Sequence, residues 1–190
     1  MIELYLGLVH YPVYNKNMQV VTTAVTNFDI HDIARSCATY AVKRYYVIHP
    51  SQTQKEIITK ILDYWQNGYG QEYNPDRSEA LDTVRLFENI QSTVDDIKNK
   101  TGKQPIIVTT DAREYPNTVS YPKLKEIAHR DDRPILLLFG TGWGIEQSVM
   151  SGFDYILEPI RGVSGYNHLC VRSAVAIILD RLAGEEWWSK

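Results

Sequence analysis

The segment Ile135-Leu136-Leu137-Leu138-Phe139-Gly140-Thr141-Gly142-Trp143-Gly144 joins an apolar run to a glycine-rich loop. The run follows Pro134 and has no alternating polar face, which predicts a short strand buried on both faces of a sheet. The alternate glycines allow positive φ angles and let a backbone approach a ligand closely, although a tight turn without a ligand has the same pattern. The segment therefore predicts a central strand of a layered fold and draws attention to the loop that follows it.

The rest of the chain alternates short apolar runs with amphipathic helical patterns, which predicts a single α/β domain over residues 1–190. The predicted strands are Ile2–Val9, Val20–Val25, Tyr45–Ile48, Val84–Phe87, Ile106–Thr109, Ile135–Phe139 and Tyr155–Leu157. The predicted helices are Asp29–Ala41, one from Ser51 to Asn67-Gly68, one opened by Asn74-Pro75, Ser92–Lys100, Ser120–Arg130, Ile145–Met150 and His168–Leu182. Between the second and third of these helices, Gly68–Asn74 is expected to be a surface loop.

Composition limits the class of protein. No run approaches the roughly 18 apolar residues that span a bilayer, and the first residues lack a cationic leader, so we expect a cytoplasmic protein without membrane contact. The formal net charge of −3 gives no general signal for nucleic acid, so RNA binding would depend on local patches or on a dimer. Cys37 and Cys170 lie in helical patterns and are expected to be buried, reduced thiols. The ligand spacing of a metal site is absent.

Three loops follow the last three predicted strands, and ligands of parallel sheets gather beyond the carboxyl ends of strands. These loops are Thr109–Arg113, Gly140–Gly144 and Glu158–Gly162. The middle loop matches neither phosphate-binding glycine pattern, and the acids Asp111, Glu146 and Glu158 disfavour a polyphosphate. They would tolerate a cationic sulfonium attached to an adenosine that backbone groups recognise. Glu146 by itself would equally well compensate a helix dipole.

The segment Gly165–Ala176 predicts a buried helix near these loops. Asn167 is a candidate N-cap, and Val171, Ala174 and Val175 share an apolar face. The small residues on this face would allow another backbone to pass closely. Periodicity alone predicts only the helix.

Three segments together resemble the SPOUT superfamily of S-adenosylmethionine-dependent RNA methyltransferases: Leu136–Ile145, Ile156–Ile160 and Tyr166–Ala176. The whole chain, including Asn27–Arg35 and Thr110–Arg113, is similar to a small bacterial family of stand-alone knotted domains grouped with tRNA guanine-N1 methyltransferase-like proteins. The resemblance implies a mostly parallel sheet flanked by helices with a deep C-terminal trefoil knot, a topology almost absent elsewhere. It also implies S-adenosyl-L-methionine as cofactor, tRNA or rRNA as substrate, and a homodimer formed through the knot region.

The resemblance also implies the residues of the site. The cofactor would be held by Thr109, Leu138, Phe139, Gly140, Thr141, Gly142, Gly144, Ile156, Leu157, Pro159, Ile160, Asn167, His168, Leu169, Val171, Arg172 and Ala174. Asn27 and Arg35 stand where ribose 2′-O-methylating relatives carry an Asn and an Arg, and His31 lies one turn before Arg35 on the same helical face. These three are the candidate catalytic residues. Because the aspartate-centred loop of guanine-N1 enzymes is not evident after Pro159, the resemblance favours the ribose 2′-hydroxyl over a base nitrogen.

Plainer interpretations compete with these. Arg35 would also suit a solvated helix surface, and so would the best basic run, which comprises Lys123, Lys125, His129, Arg130 and Arg133. Trp187-Trp188 would form an exposed apolar patch unless it packs at the dimer interface, where we expect it. Two other functions stay open: a non-catalytic knotted dimer that binds S-adenosylmethionine or RNA, and a flavodoxin-like domain that binds a nucleotide or flavin at the same loops.

Overall fold

The computed structural model describes residues 2–185, and this part of the chain has nine strands and eight helices. The strands are β1 (Leu4–Val9), β2 (Val13–Tyr14), β3 (Val20–Val21), β4 (Tyr45–Ile48), β5 (Val84–Phe87), β6 (Ile106–Thr110), β7 (Thr118–Val119), β8 (Ile135–Gly140) and β9 (Tyr155–Leu157). The helices are α1 (Asn27–Thr39), α2 (Gln52–Gln66), α3 (Tyr69–Tyr73), α4 (Pro75–Leu81), α5 (Ile90–Thr101), α6 (Tyr121–Arg130), α7 (Gln147–Met150) and α8 (Val171–Ala183). The alternation of strands and helices confirms the predicted α/β fold.

One sheet contains seven of these strands in the order β5-β4-β1-β8-β6-β9-β7. Every pairing in this sheet is parallel, so all of its strands end at the same edge. β8 lies between β1 and β6, and Leu136, Leu137 and Leu138 are fully buried there. This central position explains the uninterrupted apolar run of β8, because a central parallel strand is covered on both faces.

Alternate residues of the central strands supply two cores, one on each face of the sheet. Leu137 belongs to the core that includes Ile33 of α1 and Leu179 of α8. Leu136 belongs to the opposite core, with Ile97 of α5. The sheet is therefore a middle layer between two layers of helices. No helix among residues 2–185 is long and apolar enough to cross a membrane.

The segment between β1 and α1 differs from its prediction. The pattern predicts a strand over Val20–Val25, but only β3 is extended there, and it pairs with β2 in an antiparallel hairpin outside the main sheet. β2 also contacts the loop after β8 through a bridge between Val13 and Ile145, and both side chains are buried. The hairpin depends on packing between distant residues, which strand propensity does not encode.

The predicted surface loop over Gly68–Asn74 is wrong, because α3 occupies it. A Cβ atom on Gly70 would lie 2.7 Å from Cε3 of Trp65 in α2. The absence of a side chain at Gly70 thus lets α3 lie directly against the Trp65 ring. This contact between two helices, rather than local propensity, explains why the segment is helical.

α8 begins at Val171, later than the predicted start at His168. Its N-cap residue is Cys170, which makes no side-chain cap hydrogen bond. Asn167, the predicted cap, instead donates from Nδ2 to the carbonyl oxygen of Ala112 at 2.6 Å. As a result residues 161–170 form an irregular segment, and all of them except Asn167 are exposed.

Candidate active site

The loops after β6 and β8 meet at the carboxyl edge of the sheet. Nη2 of Arg113, in the loop after β6, donates to the carbonyl oxygen of Trp143 at 3.3 Å. Asn167 reaches the same loop through the carbonyl of Ala112. Residues 111–113 therefore connect the glycine-rich loop, residues 140–144, to the exposed segment that precedes α8.

The loop after β9 joins this group at Arg161, which forms an ion pair with Glu114. Glu158, the first residue of this loop, has a structural role. Its carboxylate accepts a hydrogen bond from the amide of Tyr121 at 2.8 Å. Glu158 therefore stabilises the start of α6 rather than setting the charge of the loop cluster.

The side chain of Asp111 is only 4% exposed, and its charge is compensated. Its carboxylate accepts hydrogen bonds from Nε and Nη2 of Arg113 at 3.0 and 2.9 Å, and from the Tyr115 hydroxyl at 3.2 Å. The hydrogen bond with Asp111 raises the pKa of Arg113. Because Asp111 is neutralised by a bidentate partner, it is not the free acid that would disfavour a phosphate.

Glu146 is the N-cap residue of α7, which begins later than the predicted Ile145. Its carboxylate accepts hydrogen bonds from the amides of Ser148 and Val149, at 3.0 and 3.3 Å. Hydrogen bonding to Ser148 lowers the pKa of Glu146. The plainer interpretation of this acid, compensation of a helix N-terminus, agrees with the geometry.

Thr109 carries a buried hydroxyl that a polar ligand could hydrogen-bond. Its side chain is fully buried at the end of β6, which pairs it with Leu138 of β8 and Ile156 of β9. Among the described residues Oγ1 of Thr109 has no hydrogen-bond partner. A buried hydroxyl without a partner is costly, so this atom fits a site that a ribose or amino group completes.

The apolar residues predicted to hold the cofactor face the protein interior. The side chains of Leu138, Phe139, Ile156 and Leu157 are all buried in the two cores. If these residues contact a ligand, they would therefore do so through their backbone. This arrangement is consistent with the expected recognition of adenine by backbone atoms.

Arg172, in the first turn of α8, turns toward α1. Its guanidinium lies 3.7 Å from Oδ1 of Asp29 and 3.4 Å from Oδ2 of Asp32, and it covers the ring of Phe28 at 5.3 Å. Asp29 also closes the N-terminus of α1 in a capping box with Thr26. The start of α1 is thus joined to the start of α8, beside the predicted cofactor segment.

The candidate catalytic residues on α1 separate into two groups. Asn27 and Arg35 are exposed. The His31 ring packs edge-on against Trp65 of α2 at 5.3 Å, and burial, followed by the charge of Arg77 in α4, lowers its pKa. The structure therefore places His31 against α2 and α4, not with the cofactor loops.

Two residues at the site have no signal in the sequence. The Thr23 hydroxyl bonds to the Thr141 hydroxyl, 118 residues away. Backbone groups of Tyr14 bond to Trp143 and Gly144 at 2.9 Å. An isolated threonine and a tyrosine in a short strand match no motif, and only the glycine-rich loop that they contact was recognisable.

The cysteines differ from the prediction that both are buried. Cys37 is fully buried in α1, but Cys170 is exposed. A hydrogen bond between Sγ of Cys170 and Oγ of Ser173, at 3.2 Å, lowers the pKa of the Cys170 thiol. The later start of α8 explains the exposure, because Cys170 precedes the helix instead of lying within it. Neither cysteine belongs to a group of potential metal ligands among the described residues.

The predicted basic run on and just after α6 is partly compensated by neighbouring acids. Lys123 and Arg130 both pair with Glu126, at 2.9 and 2.7 Å, and Arg133 pairs with Asp131 at 2.8 Å. These geometries support the interpretation of this surface as an ordinary solvated helix face. The predicted role of Trp187-Trp188 lies outside the described residues.

A family model for SAM-dependent RNA methyltransferases matches residues 3–184. The chain is 44% identical over 180 residues to an uncharacterised protein of Aquifex aeolicus, covering 95% of this chain and 88% of that protein. It is 42% identical over 183 residues to a tRNA (guanine-N(1)-)-methyltransferase of Nitratidesulfovibrio vulgaris, covering 96% of this chain but only 42% of that relative.

Solved structures share the fold at low sequence identity. The A. aeolicus TrmH/SpoU tRNA modifying enzyme has a TM-score of 0.56 and 16% identity, covering 96% of this chain and 75% of that structure. A structure described as giving insights into the 2-OH methylation of C/U34 on tRNA has a TM-score of 0.55 and 16% identity, covering 97% and 99%. With its parallel sheet and loop cluster, the chain belongs to the SAM-dependent RNA methyltransferase family and has the SPOUT fold.

Proposed function

We propose that this enzyme transfers a methyl group from S-adenosylmethionine to a ribose 2′-hydroxyl of tRNA or rRNA. The observation that carries the proposal is the convergence of the loops after β6 and β8 with the segment before α8, beside the Thr109 hydroxyl, which has no hydrogen-bond partner within residues 2–185. The start of α1, the helix that presents Asn27 and Arg35, is joined to the start of α8 by Arg172.

The relatives support an RNA substrate, but they do not identify the atom that accepts the methyl group. The guanine-N1 name belongs to a protein of which this chain covers 42%, so more than half of that relative lies outside the match. The fold neighbours include a TrmH/SpoU tRNA modifying enzyme and a protein linked to 2-OH methylation of tRNA. Together with Asn27 and Arg35 on α1, these similarities favour the ribose hydroxyl.

The proposed mechanism needs few side chains. When bound, S-adenosylmethionine supplies an electrophilic methyl group on its sulfonium. Backbone groups around Leu138–Gly140, Ile156–Ile160 and Leu169–Ala174 would hold the adenine, and the Thr109 hydroxyl would meet a polar group of the ligand. Holding the acceptor oxygen about 3 Å from the methyl carbon supplies much of the rate acceleration. Bound S-adenosylmethionine would supply the methyl group and leave as S-adenosylhomocysteine, and the proton of the acceptor hydroxyl would pass to solvent water.

Arg35 is the proposed catalytic cation. Its guanidinium would stabilise the charge that develops on the acceptor oxygen and contact the RNA phosphate. Arg35 is exposed on α1, so an RNA strand has access to it. Asn27, exposed at the start of the same helix, would help to orient the ribose.

We also propose a homodimer formed through the knot region. Phe28, Val163, Tyr166 and Leu169 are exposed large hydrophobic residues on α1 and on the segment before α8. A second copy placed on this surface would cover them and would bring its own Arg35 close to the cofactor loops. We propose, in addition, that the C-terminal segment forms the trefoil knot that the family resemblance implies.

The test is methyl transfer from labelled S-adenosylmethionine into tRNA and rRNA fractions from a strain that lacks the gene. Nucleoside mass spectrometry is expected to find a 2′-O-methylated nucleoside. A base-methylated nucleoside would contradict the ribose assignment but not the enzyme class. Cofactor binding without any transfer would support the non-catalytic alternative.

Arg35→Ala is expected to lower methyl transfer at least 100-fold, about the contribution of one electrostatic donor in a site, while cofactor affinity remains unchanged. Arg35→Lys should recover part of the rate, since the charge is kept but the planar fork is lost. Lys60→Ala, on the exposed side of α2, is the matched control. Transfer at the wild-type rate by Arg35→Ala would remove Arg35 from the mechanism.

A further inference from the structure

The glycine-rich loop is held by a second element, the segment from His10 to Thr23 that contains the β2–β3 hairpin. The amide of Tyr14 donates to the Gly144 carbonyl at 2.9 Å, and the amide of Trp143 donates to the Tyr14 carbonyl at 2.9 Å. The Glu146 amide donates to the Pro12 carbonyl at 3.1 Å. β2 therefore pairs with the loop almost as it would with another strand.

Side chains extend this pairing. The Tyr14 hydroxyl donates to Oε1 of Glu146 at 3.2 Å and accepts from the amide of Gln147 at 3.2 Å. The amide and the hydroxyl of Thr141 both donate to the carbonyl oxygen of Val9, at 3.2 and 3.0 Å. Much of the loop's hydrogen-bonding capacity is thus satisfied by the protein itself, and the loop has a defined shape without a ligand.

The hydroxyls at the centre of this contact form a chain whose direction can be deduced. Oγ1 of Thr141 has one proton, and the Val9 carbonyl can only accept, so Thr141 donates there. The hydrogen bond between Oγ1 of Thr23 and Oγ1 of Thr141 must then be donated by Thr23. Because the Thr23 proton is used in this way, Nδ1 of His10, 3.0 Å away, must donate to Thr23.

This order of donors determines the tautomer of His10. The ring carries its proton on Nδ1, and Nε2 is a buried acceptor with no partner among the described residues. Burial, together with nearby His49, lowers the pKa of His10 to about 3, so the ring is neutral. The chain of donors runs from His10 through Thr23 and Thr141 to the backbone of β1.

Both backbone groups of Thr23 also form hydrogen bonds. Its amide donates to the His10 carbonyl at 3.0 Å, and its own carbonyl accepts from Nε2 of His49 at 3.0 Å. His49 can donate from Nε2 because its Nδ1 accepts from the amide of Ser51 at 2.9 Å. Thr26, close by in the chain, is the N-cap of α1. Thr23 therefore connects the glycine-rich loop to the segment from which α1 begins.

We propose that Thr23 and Thr141 are positioning residues that, with the β2–β3 hairpin, fix the glycine-rich loop in its cofactor-binding shape and couple it to α1. The inference rests on the proposed cofactor site. A loop that is ordered in advance avoids the entropic cost of ordering when the ligand binds, so loss of the hydroxyl chain should weaken binding of the cofactor. Neither threonine needs to touch the ligand for this effect.

Thr23→Val and Thr141→Val test the proposal by removing one hydroxyl each at nearly constant volume. Calorimetry is expected to show the Kd for S-adenosylmethionine raised about tenfold, the effect of one lost buried hydrogen bond. Because the loss is in binding, KM for the cofactor should rise while kcat at saturating cofactor changes little. Thr23→Ser and Thr141→Ser keep the hydroxyl and should restore the wild-type Kd. Thr22→Val, at an exposed neighbouring threonine, is the control.

The outcomes separate this inference from the proposed function. A wild-type protein that binds no S-adenosylmethionine would defeat the proposed site. A wild-type protein that binds, with both valine variants binding equally well, would defeat only the positioning role. Should the valine variants not fold, ¹⁵N NMR of the wild-type histidines decides, since a His10 proton on Nε2 would contradict the hydroxyl chain.

Discussion

Cys170 shows how the chemistry of one residue depends on where a helix begins. As the residue before α8, it is exposed, and its thiol pKa is lowered by the hydrogen bond with Ser173. Cys37 lies in the core, where burial raises its thiol pKa. The thiolate is the reactive form, so the two cysteines should differ sharply in reactivity.

We predict that iodoacetamide alkylates Cys170 and leaves Cys37 unmodified in the folded, cofactor-free monomer of a Val163→Asp variant, where no second copy covers the segment before α8. As pH falls, the alkylation rate should decrease with a midpoint below the ordinary pKa of cysteine, because a lowered pKa keeps the thiolate present at lower pH. Ser173→Ala removes the hydrogen bond and should move this midpoint upward. Mass spectrometry of peptides after timed alkylation measures both effects. Equal labelling of the two cysteines under native conditions would refute the prediction.

Gly142 shows how one element can restrict the residue type in a neighbouring loop. Its φ is +59°, and a Cβ atom there would lie 2.7 Å from the carbonyl oxygen of Tyr14 in β2. The glycine is therefore needed twice, once for the turn and once for the close approach of the hairpin. A ligand is not required to explain the glycine at this position.

We predict that Gly142→Ala destabilises the protein by about 1–3 kcal/mol, the usual cost of a strained backbone conformation with a close contact. Gly165→Ala is the matched control, because among residues 2–185 no atom outside Gly165 and its two chain neighbours lies within 4 Å of its Cβ position. Its effect should stay within about 0.5 kcal/mol, as for most surface substitutions. Urea unfolding of the two variants measures the difference. Equal free energies of unfolding for the two variants would show that the close contact between the hairpin and Gly142 does not restrict this position.

At the scale of the whole molecule, four of the exposed apolar residues lie beside the proposed site. Val163, Tyr166 and Leu169 precede α8, and Phe28 is on the helix to which α8 is joined. The described part of a single chain therefore leaves the segment before α8 largely uncovered. A symmetric partner would cover it and would complete the site.

We predict that the protein has twice the mass of one chain in light scattering after gel filtration. Val163→Asp should shift it toward the monomer, because two-fold symmetry places the added charge twice in one apolar contact. Ile57→Asp, an equally drastic change at an exposed position on α2, should leave the mass unchanged. A wild-type monomer at micromolar concentration would overturn the proposed dimer.

Local patterns predicted many of the elements. The apolar run of β8 and the bounds of β4, β5 and β9 follow from residue type and period alone. The N-caps Ser51, Asn74 and Ser120 mark helix starts because their side chains bond to nearby amides. Such features depend on residues a few positions apart, so they are visible in the sequence.

The loops of the site were recognised from glycines and strand ends, and the parallel sheet brings two of them into direct contact. The amino-acid sequence by itself determined the α/β alternation, the central strand and the glycine-rich loop, because short-range period and conformational preference encode them. Only the tertiary structure decided that Thr23 holds Thr141, that β2 pairs with the loop and that α8 begins after Cys170. These contacts join residues far apart in the chain, and their energies appear only when the fold brings the partners together.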